Sequence, residues 1–357
     1  MMRLPERLLL TGLALACATA AIEDIAAGDG VAVCVAGQAR TLNASAVYRN
    51  IHESMVRPLR DAHHRVDVFL ALAPTKGPGF DYASNPLAPE LVARLRPVAL
   101  DWASVDQNKP APEVCDARCG IWGMGCKGLG QTTHQEACLR DIERRERLVG
   151  KRYAWVLLGR PDVATGRTLT PEALRAAARA AESVTSRNGT VFSRPGRCHA
   201  DAYCHSDTWA LATRRAADVY VHAMAREFRR RTGCADARRA IVAALAGTGA
   251  RVHGSGTGQT SVCVECRLAY TLRTGGVALC GGVAAEGIVR WRGVRADGSA
   301  STQGPVPLAI SADAGRFVRL AGRTAPVLFE HPVEGRCGAT AAALVGRPWA
   351  LCPHDLC

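Results

Sequence analysis

The apolar positions of this chain are grouped in short continuous runs. Residues 31–36, 66–72 and 153–158 are apolar along almost their whole length, and shorter strand-like stretches follow at 97–102 ("PVALDW") and 190–194 ("TVFSR"). Runs of this length are typical of strands that are covered on both faces, as in a parallel sheet. We therefore predict that the three longer runs are interior strands of one sheet.

Segments with helical periodicity lie between these strands. They cover residues 43–60, 89–95, 131–151, 170–184 and 236–247, and the amphipathic segment 207–231 is predicted to be a long helix or a pair of helices. In the helix at 131–151, we expect Ala137, Ile142 and Leu148 to be buried. The alternation predicts an α/β fold with a mostly parallel sheet flanked by helices, because parallel neighbours need crossover connections.

The composition changes twice along the chain, which predicts three regions. Residues 1–20 have the features of a cleaved signal peptide, with two arginines ahead of an uncharged stretch that contains Ala18-Thr19-Ala20. Residues 29–280 hold the α/β domain, and residues 281–357, with short strand-like pieces and cysteines, form a β-rich C-terminal extension. A short N-terminal signal anchor stays open as the alternative, and no later segment is long and apolar enough to span a bilayer.

A signal peptide predicts that the protein is in the Golgi or ER lumen or is secreted, and the cysteines agree. The chain has 15 cysteines, which in an oxidising compartment read as disulfides. We expect a disulfide-tied loop at 105–130, with pairs within the 115–138 cluster and among the cysteines after 260. Cys34 is expected to stay free inside its strand. Asn43 and Asn188 begin glycosylation sequences, which predicts a glycoprotein.

Zinc is the alternative use of the cysteines. The spacings Cys115-x-x-x-Cys119 and Cys263-x-x-Cys266 suggest it, but neither has the paired Cys or His partners of a zinc ribbon or finger.

The charge balance is strongly basic but does not indicate nucleic-acid binding. The formal net charge is +13, and only four of the 45 basic residues are lysines. No basic run is interleaved with aromatic residues, as a stacking surface for nucleic acid requires. We therefore predict no nucleic-acid partner and a weak preference for anionic ligands.

Four stretches, in order along the chain, are similar to those of a family of glycosyltransferase-like proteins that is common in algae. They are "VAVCVAGQAR" from residue 31, "VDVFLAL" from residue 66, the pair Cys138 and Glu146 ahead of "YAWVLLGRPDV", and "SDTWALATRRAADVY" from residue 206. The resemblance covers roughly residues 31–275, about two thirds of the chain.

The resemblance implies a GT-A, nucleotide-diphospho-sugar transferase-like fold. It implies transfer of a sugar from a nucleotide-sugar donor to a glycan or glycoprotein acceptor, often with Mn²⁺ or Mg²⁺ bridging the diphosphate. A hard divalent cation needs oxygen ligands, and one carboxylate with diphosphate oxygens and water can hold it. Asp162, at the end of a predicted strand, is the candidate metal ligand.

The other candidate residues have roles that suit a donor site. Arg160 can pair with phosphate through its planar guanidinium. Gly37 permits close approach of the backbone, Gln38 can hydrogen-bond a base or ribose, and Arg40 can neutralise phosphate. Asp207 is the candidate general base for the acceptor hydroxyl.

Each of these residues also has a plain structural interpretation. Arg160-Pro161-Asp162 is a suitable strand exit, since proline ends a ladder and aspartate caps a turn. Gly37 and its neighbours fit a glycine turn with solvated side chains, and Asp207 fits a helix N-cap.

The chain departs from the family pattern in two ways. Leu158 stands where relatives tend to carry an arginine, and no Asp-x-Asp sequence occurs. These departures favour a second hypothesis, a secreted disulfide-rich carbohydrate-binding or structural protein that has the same fold without catalytic activity.

Overall fold

A computed structural model describes residues 30–43, 45–73, 87–102, 127–161, 163–165, 168–184, 186–195, 205–229, 268, 271–272, 275–281, 288–294, 300–303, 308–310 and 317–319. The first eight strands are β1 (Val31–Gln38), β2 (Val66–Ala73), β3 (Pro97–Trp102), β4 (Trp155–Gly159), β5 (Val163–Thr165), β6 (Thr190–Pro195), β7 (His205–Thr213) and β8 (Ala278–Gly281). The helices are α1 (Ala39–Leu42), α2 (Ser45–Ile51), α3 (Arg57–Asp61), α4 (Pro89–Leu95), α5 (Lys127–Val149), α6 (Pro171–Glu182) and α7 (Arg214–Arg229), and a π-helical turn, His52–Val56, joins α2 to α3.

Seven of these strands form one mixed, mostly parallel sheet in the order β3-β2-β1-β4-β7-β6-β8. The pairs β3 with β2, β2 with β1, β1 with β4, and β6 with β8 are parallel, and β7 is antiparallel to both of its neighbours. The predicted α/β fold with a mostly parallel sheet flanked by helices is confirmed. The interior position of the three long apolar runs is confirmed as well.

The central strands β1, β2 and β4 are buried on both faces, which explains their continuous apolar runs, whereas alternate residues of the edge strand β3 are exposed. On one face, Val33 and Leu157 pack with α2, α4 and α6 through residues such as Ile51, Leu91 and Leu174. On the other face, strand residues including Ala32 and Val156 pack with α5 and α7, which contribute Ile142 and Tyr220 among others. Side chains of neighbouring strand positions therefore enter opposite cores, as the two-residue period of a strand requires.

The helix boundaries follow local capping rules. Helix α6 begins with Pro171 in its first turn, and the Thr170 hydroxyl accepts a hydrogen bond from the Ala173 N–H at 3.2 Å. Threonine at an N-cap and proline in the first turn both favour a helix start. Leu174 and Ala177, three residues apart, are buried in the first core.

The segment 207–213, predicted to be helical, is part of strand β7. Trp209 and Leu211 enter the core that contains Leu157, whereas Ala210 and Ala212 enter the core that contains Val156. The alanines favour a helix locally, but β7 lies between β4 and β6 and pairs with both. Tertiary pairing overrides the local preference, and only residues 214–229 of this segment are helical.

Two further predictions are wrong. Leu148 on α5 is 76% exposed, although Ala137 and Ile142 are buried as predicted. Cys34 is not a free thiol, because it forms a disulfide with Cys138 of α5, with a Cα–Cα distance of 6.0 Å. Sequence gave no means to pair a cysteine of a core strand with one 104 residues away.

The described part of the C-terminal region consists of β9 (Ile288–Val294), β10 (Ala300–Gln303), β11 (Leu308–Ile310) and β12 (Phe317–Arg319). Strand β9 pairs with β10 and with β5, and β11 pairs with β12, all antiparallel. Whether residues 281–357 form a separate extension stays a prediction. No helix among the described residues is long and apolar enough to cross a bilayer.

Candidate functional site

The candidate site lies at the carboxyl ends of β1 and β4. The strand order reverses between these two neighbours, since β2 and β3 lie beyond β1, and β7 and β6 lie beyond β4. In open α/β sheets, ligands bind outside the carboxyl ends of the strands at such a reversal. We call this side of the sheet the carboxyl edge and the opposite side the amino edge.

Gly37 and Pro161 bring β1 and β4 into contact at the carboxyl edge. Val35 is paired with Gly159, so each chain runs two residues further to reach Gly37 and Pro161. Gly37 has a φ of +145°, and a Cβ added there would lie 2.8 Å from Pro161 Cδ. Both the backbone conformation and the close approach therefore require glycine.

Arg160 links this edge to helix α5. Its side chain is half-buried, and Nη1 donates a hydrogen bond to Gln131 Oε1 at 3.4 Å. Gln131 lies near the start of α5, so the N-terminal end of that helix is next to the end of β4. A helix N-terminus carries partial positive charge, and the guanidinium adds a full one, so this corner suits an anionic group.

Strand β7 begins at the same edge, because it runs antiparallel to β4. Gly159 is paired with Trp209, and Asp207 comes two residues before it in the strand. The alternative interpretation of Asp207 as a helix N-cap is therefore wrong, since helix α7 begins only at Arg214. The structure describes the backbone of Asp207 but not its side chain.

The structure describes the remaining predicted site residues only in part. Gln38 is the last residue of β1 and Arg40 lies in α1, directly after it, but the side chains of both fall outside the described part of the structure. Asp162 lies outside the described residues altogether. The described backbone thus brings Gly37, Gln38 and Arg160 to one edge, with Asp207 on the strand that enters from there.

The family resemblance implies a divalent metal ion at this edge. Within the described ranges, no group of three or more His, Cys, Asp or Glu side chains is close enough to hold a metal ion. The Arg160 guanidinium suits phosphate oxygens rather than a cation, and Gln131 Oε1 accepts one of its N–H groups. The candidate metal ligand, Asp162, lies outside the described residues, so the metal role stays a prediction.

The amino edge holds a buried charge network that sequence reasoning missed. Arg214 is only 3% exposed in its side chain, and its Nε and Nη2 donate to Glu146 at 2.9 and 3.1 Å. Arg214 also binds Asp218, and Glu146 Oε1 accepts the Tyr153 N–H at 3.0 Å. Burial opposes the charge on Arg214, but its hydrogen bonds and ion pairs outweigh it and raise the pKa of the guanidinium.

A second part of the network surrounds Asp67 at the start of β2. Its Oδ2 accepts the Tyr153 hydroxyl and Arg145 Nε, and Arg65 Nε lies 3.7 Å away. Burial, and then the bond to Asp67, raise the pKa of Tyr153 above its ordinary value. The signal available in the sequence was the single charge, Asp67, in an otherwise apolar strand.

This network and the disulfide account for several residues on which the family resemblance rests. Cys138 is in the disulfide, Glu146 binds Arg214, and Asp218 binds the same arginine. The disulfide joins α5 to β1, and Glu146 with Arg214 joins α5 to α7 at the amino edge. The motifs therefore contain structural residues as well as candidate ligand-binding ones.

Comparison of the whole sequence with protein-family models gives no match, and comparison with curated proteins gives none either.

Proposed function

We propose that this protein is a glycosyltransferase-like protein that binds a nucleotide-sugar at the carboxyl edge and transfers the sugar to a glycan or glycoprotein acceptor. The observation that carries the proposal is the position of Gly37 and Arg160-Pro161 where the strand order reverses. A GT-A likeness of residues 29–280, a β-rich extension over 281–357 and a secretory location after cleavage of residues 1–20 belong to the same proposal.

The described residues support binding of a diphosphate. Gly37 lets Pro161 pack against the end of β1, and Arg160, next to Pro161, presents a fork of N–H donors that matches phosphate oxygens. Arg160 also stabilises the charge that builds up on the departing diphosphate as the sugar leaves. Gln38 and Arg40, next in sequence to Gly37, are proposed to contact the nucleoside and the phosphates.

Transfer also needs a base for the acceptor hydroxyl. In the proposal, the Asp207 carboxylate takes that proton while the hydroxyl oxygen attacks the sugar. The Asp162 carboxylate is the residue that would hold Mn²⁺ or Mg²⁺, which neutralises diphosphate charge when bound.

The test is nucleotide binding by the secreted full-length protein. Titration calorimetry with UDP- and GDP-sugars, with and without Mn²⁺, is expected to detect binding to the wild type. Arg160→Ala and Asp162→Asn are each expected to weaken it by about tenfold or more, because charge-assisted hydrogen bonds to phosphate and metal are lost. Arg175→Ala is the matched control, since Arg175 is 60% exposed and pairs only with Glu172 of its own helix in the described structure.

Absence of nucleotide-sugar binding in the folded wild type would refute the proposal. Binding that survives both Arg160→Ala and Asp162→Asn would place the ligand elsewhere on the molecule.

The second candidate function is carbohydrate binding without catalysis. The absence of Asp-x-Asp from the sequence favours it. This function predicts that the protein binds glycans while nucleotide-sugars give no heat signal, and that Asp207→Asn leaves glycan affinity unchanged.

A further inference from the structure

The two end strands of the main sheet differ in how they are covered. Strand β8 ends the sheet at one side, and its residues 278–280 are each at most 4% exposed. Strand β3 ends the sheet at the other side, and its residues Val98, Leu100 and Trp102 are 40–42% exposed. An end strand that exposes apolar side chains is a place where another strand can add to the sheet.

The exposed side chains of β3 lie on one face of the sheet. Leu100 is paired in register with Leu70 of β2, which belongs to the core beneath α2, α4 and α6. Ala99 packs instead against the core on the opposite face. Because side chains alternate along a strand, Val98 and Trp102 share the face of Leu100. We call these three exposed residues the β3 stripe.

Helix α4, which leads into β3, adds a fourth exposed apolar residue. Val92 is 43% exposed, whereas its neighbour Leu91 is buried. Four of the six exposed large apolar residues of the described structure therefore belong to α4 and β3, and the other two, Leu148 and Val149, lie at the end of α5. Apolar residues that are concentrated in this way indicate an interaction surface, which single scattered ones do not.

The part of β3 that can accept another strand is short and has Leu100 at its centre. Pro97 begins the strand and has no N–H to donate to a neighbour. The register with β2 also shifts between Pro97 and Ala99. The regular segment that stays open to pairing is therefore residues 98–102.

This segment is complementary to a second copy of itself. An antiparallel strand related by a two-fold axis at Leu100 places the two Leu100 side chains together and each Val98 against Trp102 of the other copy. On the opposite face, Asp101 then meets Ala99, so like charges are not opposed. A register centred one residue later would bring the two Asp101 carboxylates together.

We propose that a second copy of this chain pairs antiparallel with β3 through the β3 stripe, so that two seven-stranded sheets join into one continuous sheet in a homodimer. The position of Leu100 at the centre favours a second copy over an unrelated strand, because one stripe supplies both halves of the contact. This inference does not depend on the proposed nucleotide site.

The test is the oligomeric state of the secreted full-length protein, measured by light scattering and by sedimentation equilibrium. The wild type is expected to be a dimer. Leu100→Lys and Leu100→Glu are each expected to weaken dimerisation by at least about tenfold, because each variant opposes two like charges at the axis. Leu148→Lys is the matched control and is expected to dimerise like the wild type, since Leu148 is 76% exposed but lies on α5 outside the stripe.

A mixture of the two Leu100 variants distinguishes this contact from any other. In a heterodimer of Leu100→Lys with Leu100→Glu, opposite charges face each other across the axis, so the equimolar mixture is expected to recover the dimer. A mixture that stays monomeric would refute the two-fold register. A wild type that is monomeric at micromolar concentration, or a dimer that neither Leu100 variant weakens, would overturn the inference.

A second measurement needs no variant. Amide hydrogen exchange in β3 of the wild type is expected to slow as the protein concentration is raised through the dissociation constant of the dimer, because outward N–H groups of residues 98–102 gain acceptors. Exchange in β8, at the other end of the sheet, is expected to stay the same. Exchange in β3 that does not change over this range of concentration would mean that β3 is not the interface.

Discussion

The amino and carboxyl edges of the main sheet use polar residues in opposite ways. At the amino edge, Glu146 and Arg214 are buried and satisfy each other. At the carboxyl edge, Arg160 is half-buried, Gly37 is held at a positive φ, and the Trp209 N–H has no acceptor in the described structure. Satisfied buried charges are what a structural role requires, whereas an unsatisfied buried group needs another explanation, of which a bound ligand is one.

One sequence motif can contain both structural residues of the amino edge and candidate ligand-binding residues of the carboxyl edge. The stretch "SDTWALATRRAADVY" carries Asp207 toward the carboxyl edge and Arg214 and Asp218 toward the amino edge. A variant at either end of this motif is therefore expected to fail for a different reason. Variants at the amino edge should unfold the protein, and variants at the carboxyl edge should leave it folded and affect binding.

The largest effect is expected for Glu146→Ala. The substitution removes the Glu146 acceptor of Arg214 Nε and Nη2 and of the Tyr153 N–H, and leaves the buried guanidinium with Asp218 as its remaining hydrogen-bond partner. We expect the free energy of unfolding to fall by about 3–5 kcal/mol, the usual cost of breaking a buried ion pair from one side, as measured by urea denaturation. Glu172→Ala is the control, because Glu172 is 71% exposed and pairs with Arg175 of the same helix. If Glu146→Ala lowers the free energy of unfolding by less than about 1 kcal/mol, the charge network at the amino edge does not have the structural role given to it here.

The next largest effect is expected when the disulfide is removed by the double substitution Cys34→Ala and Cys138→Ala. The bridge joins β1 to α5 across 104 residues of sequence. Its loss should lower the free energy of unfolding by about 2–4 kcal/mol, because the unfolded chain regains freedom. Peptide mapping of unreduced protein is the independent check. Alkylation of Cys34 without prior reduction would show that the pair is not formed.

Gly37→Ala is expected to lower both the stability of the protein and its affinity for nucleotide. Alanine at a φ of +145°, 2.8 Å from Pro161 Cδ, is strained and pushes the end of β4 away. We expect a stability loss of about 1–3 kcal/mol and a loss of nucleotide affinity, measured by denaturation and calorimetry on one preparation. Gly150→Ala is the matched control, with a φ of +70° and nothing within 4 Å of the added Cβ. Equal loss of nucleotide affinity in both variants would argue against a local role for Gly37.

Sequence patterns predicted the strands best where burial on both faces left little choice. The runs that became β1, β2 and β4 agree with the structure to within two residues at each end. Prediction failed at β7, where "WALAT" has a helical composition and only pairing with β4 and β6 makes it a strand. It failed again at Cys34, whose partner is set by how α5 packs on the sheet.

The candidate site was predictable in part. A glycine after an apolar strand and an Arg-Pro-Asp exit were visible, and the rule on carboxyl ends of parallel strands put them on one edge. The sequence did not show that β1 and β4 are neighbours in the sheet, since pairing between strands that are distant in sequence leaves no local pattern. Gln131 was not predicted as a site residue, because its proximity to Arg160 depends on the position of α5.

The smallest effect is expected from a charge cluster around the exposed Glu90, which can be compared with the buried network. Glu90 of α4 accepts hydrogen bonds from Arg49, Tyr48 and Arg94 at 2.7–3.0 Å, and its side chain is 39% exposed. Chiefly through Arg49, these bonds lower the pKa of the Glu90 carboxyl from 4.5 to about 2.

Because the folded pKa lies below the unfolded one, the contribution of Glu90 to stability is fully present above the unfolded value and is lost as the pH falls through the folded value. The melting temperature of Glu90→Gln should therefore lie slightly below that of the wild type above about pH 5, with the gap closing between 4.5 and about 2. Solvent screening keeps this gap small for an exposed pair, and added salt should reduce it further. A gap as large as that of Glu146→Ala would mean that exposure does not separate the two clusters, and the contrast between the edges would then need another physical cause.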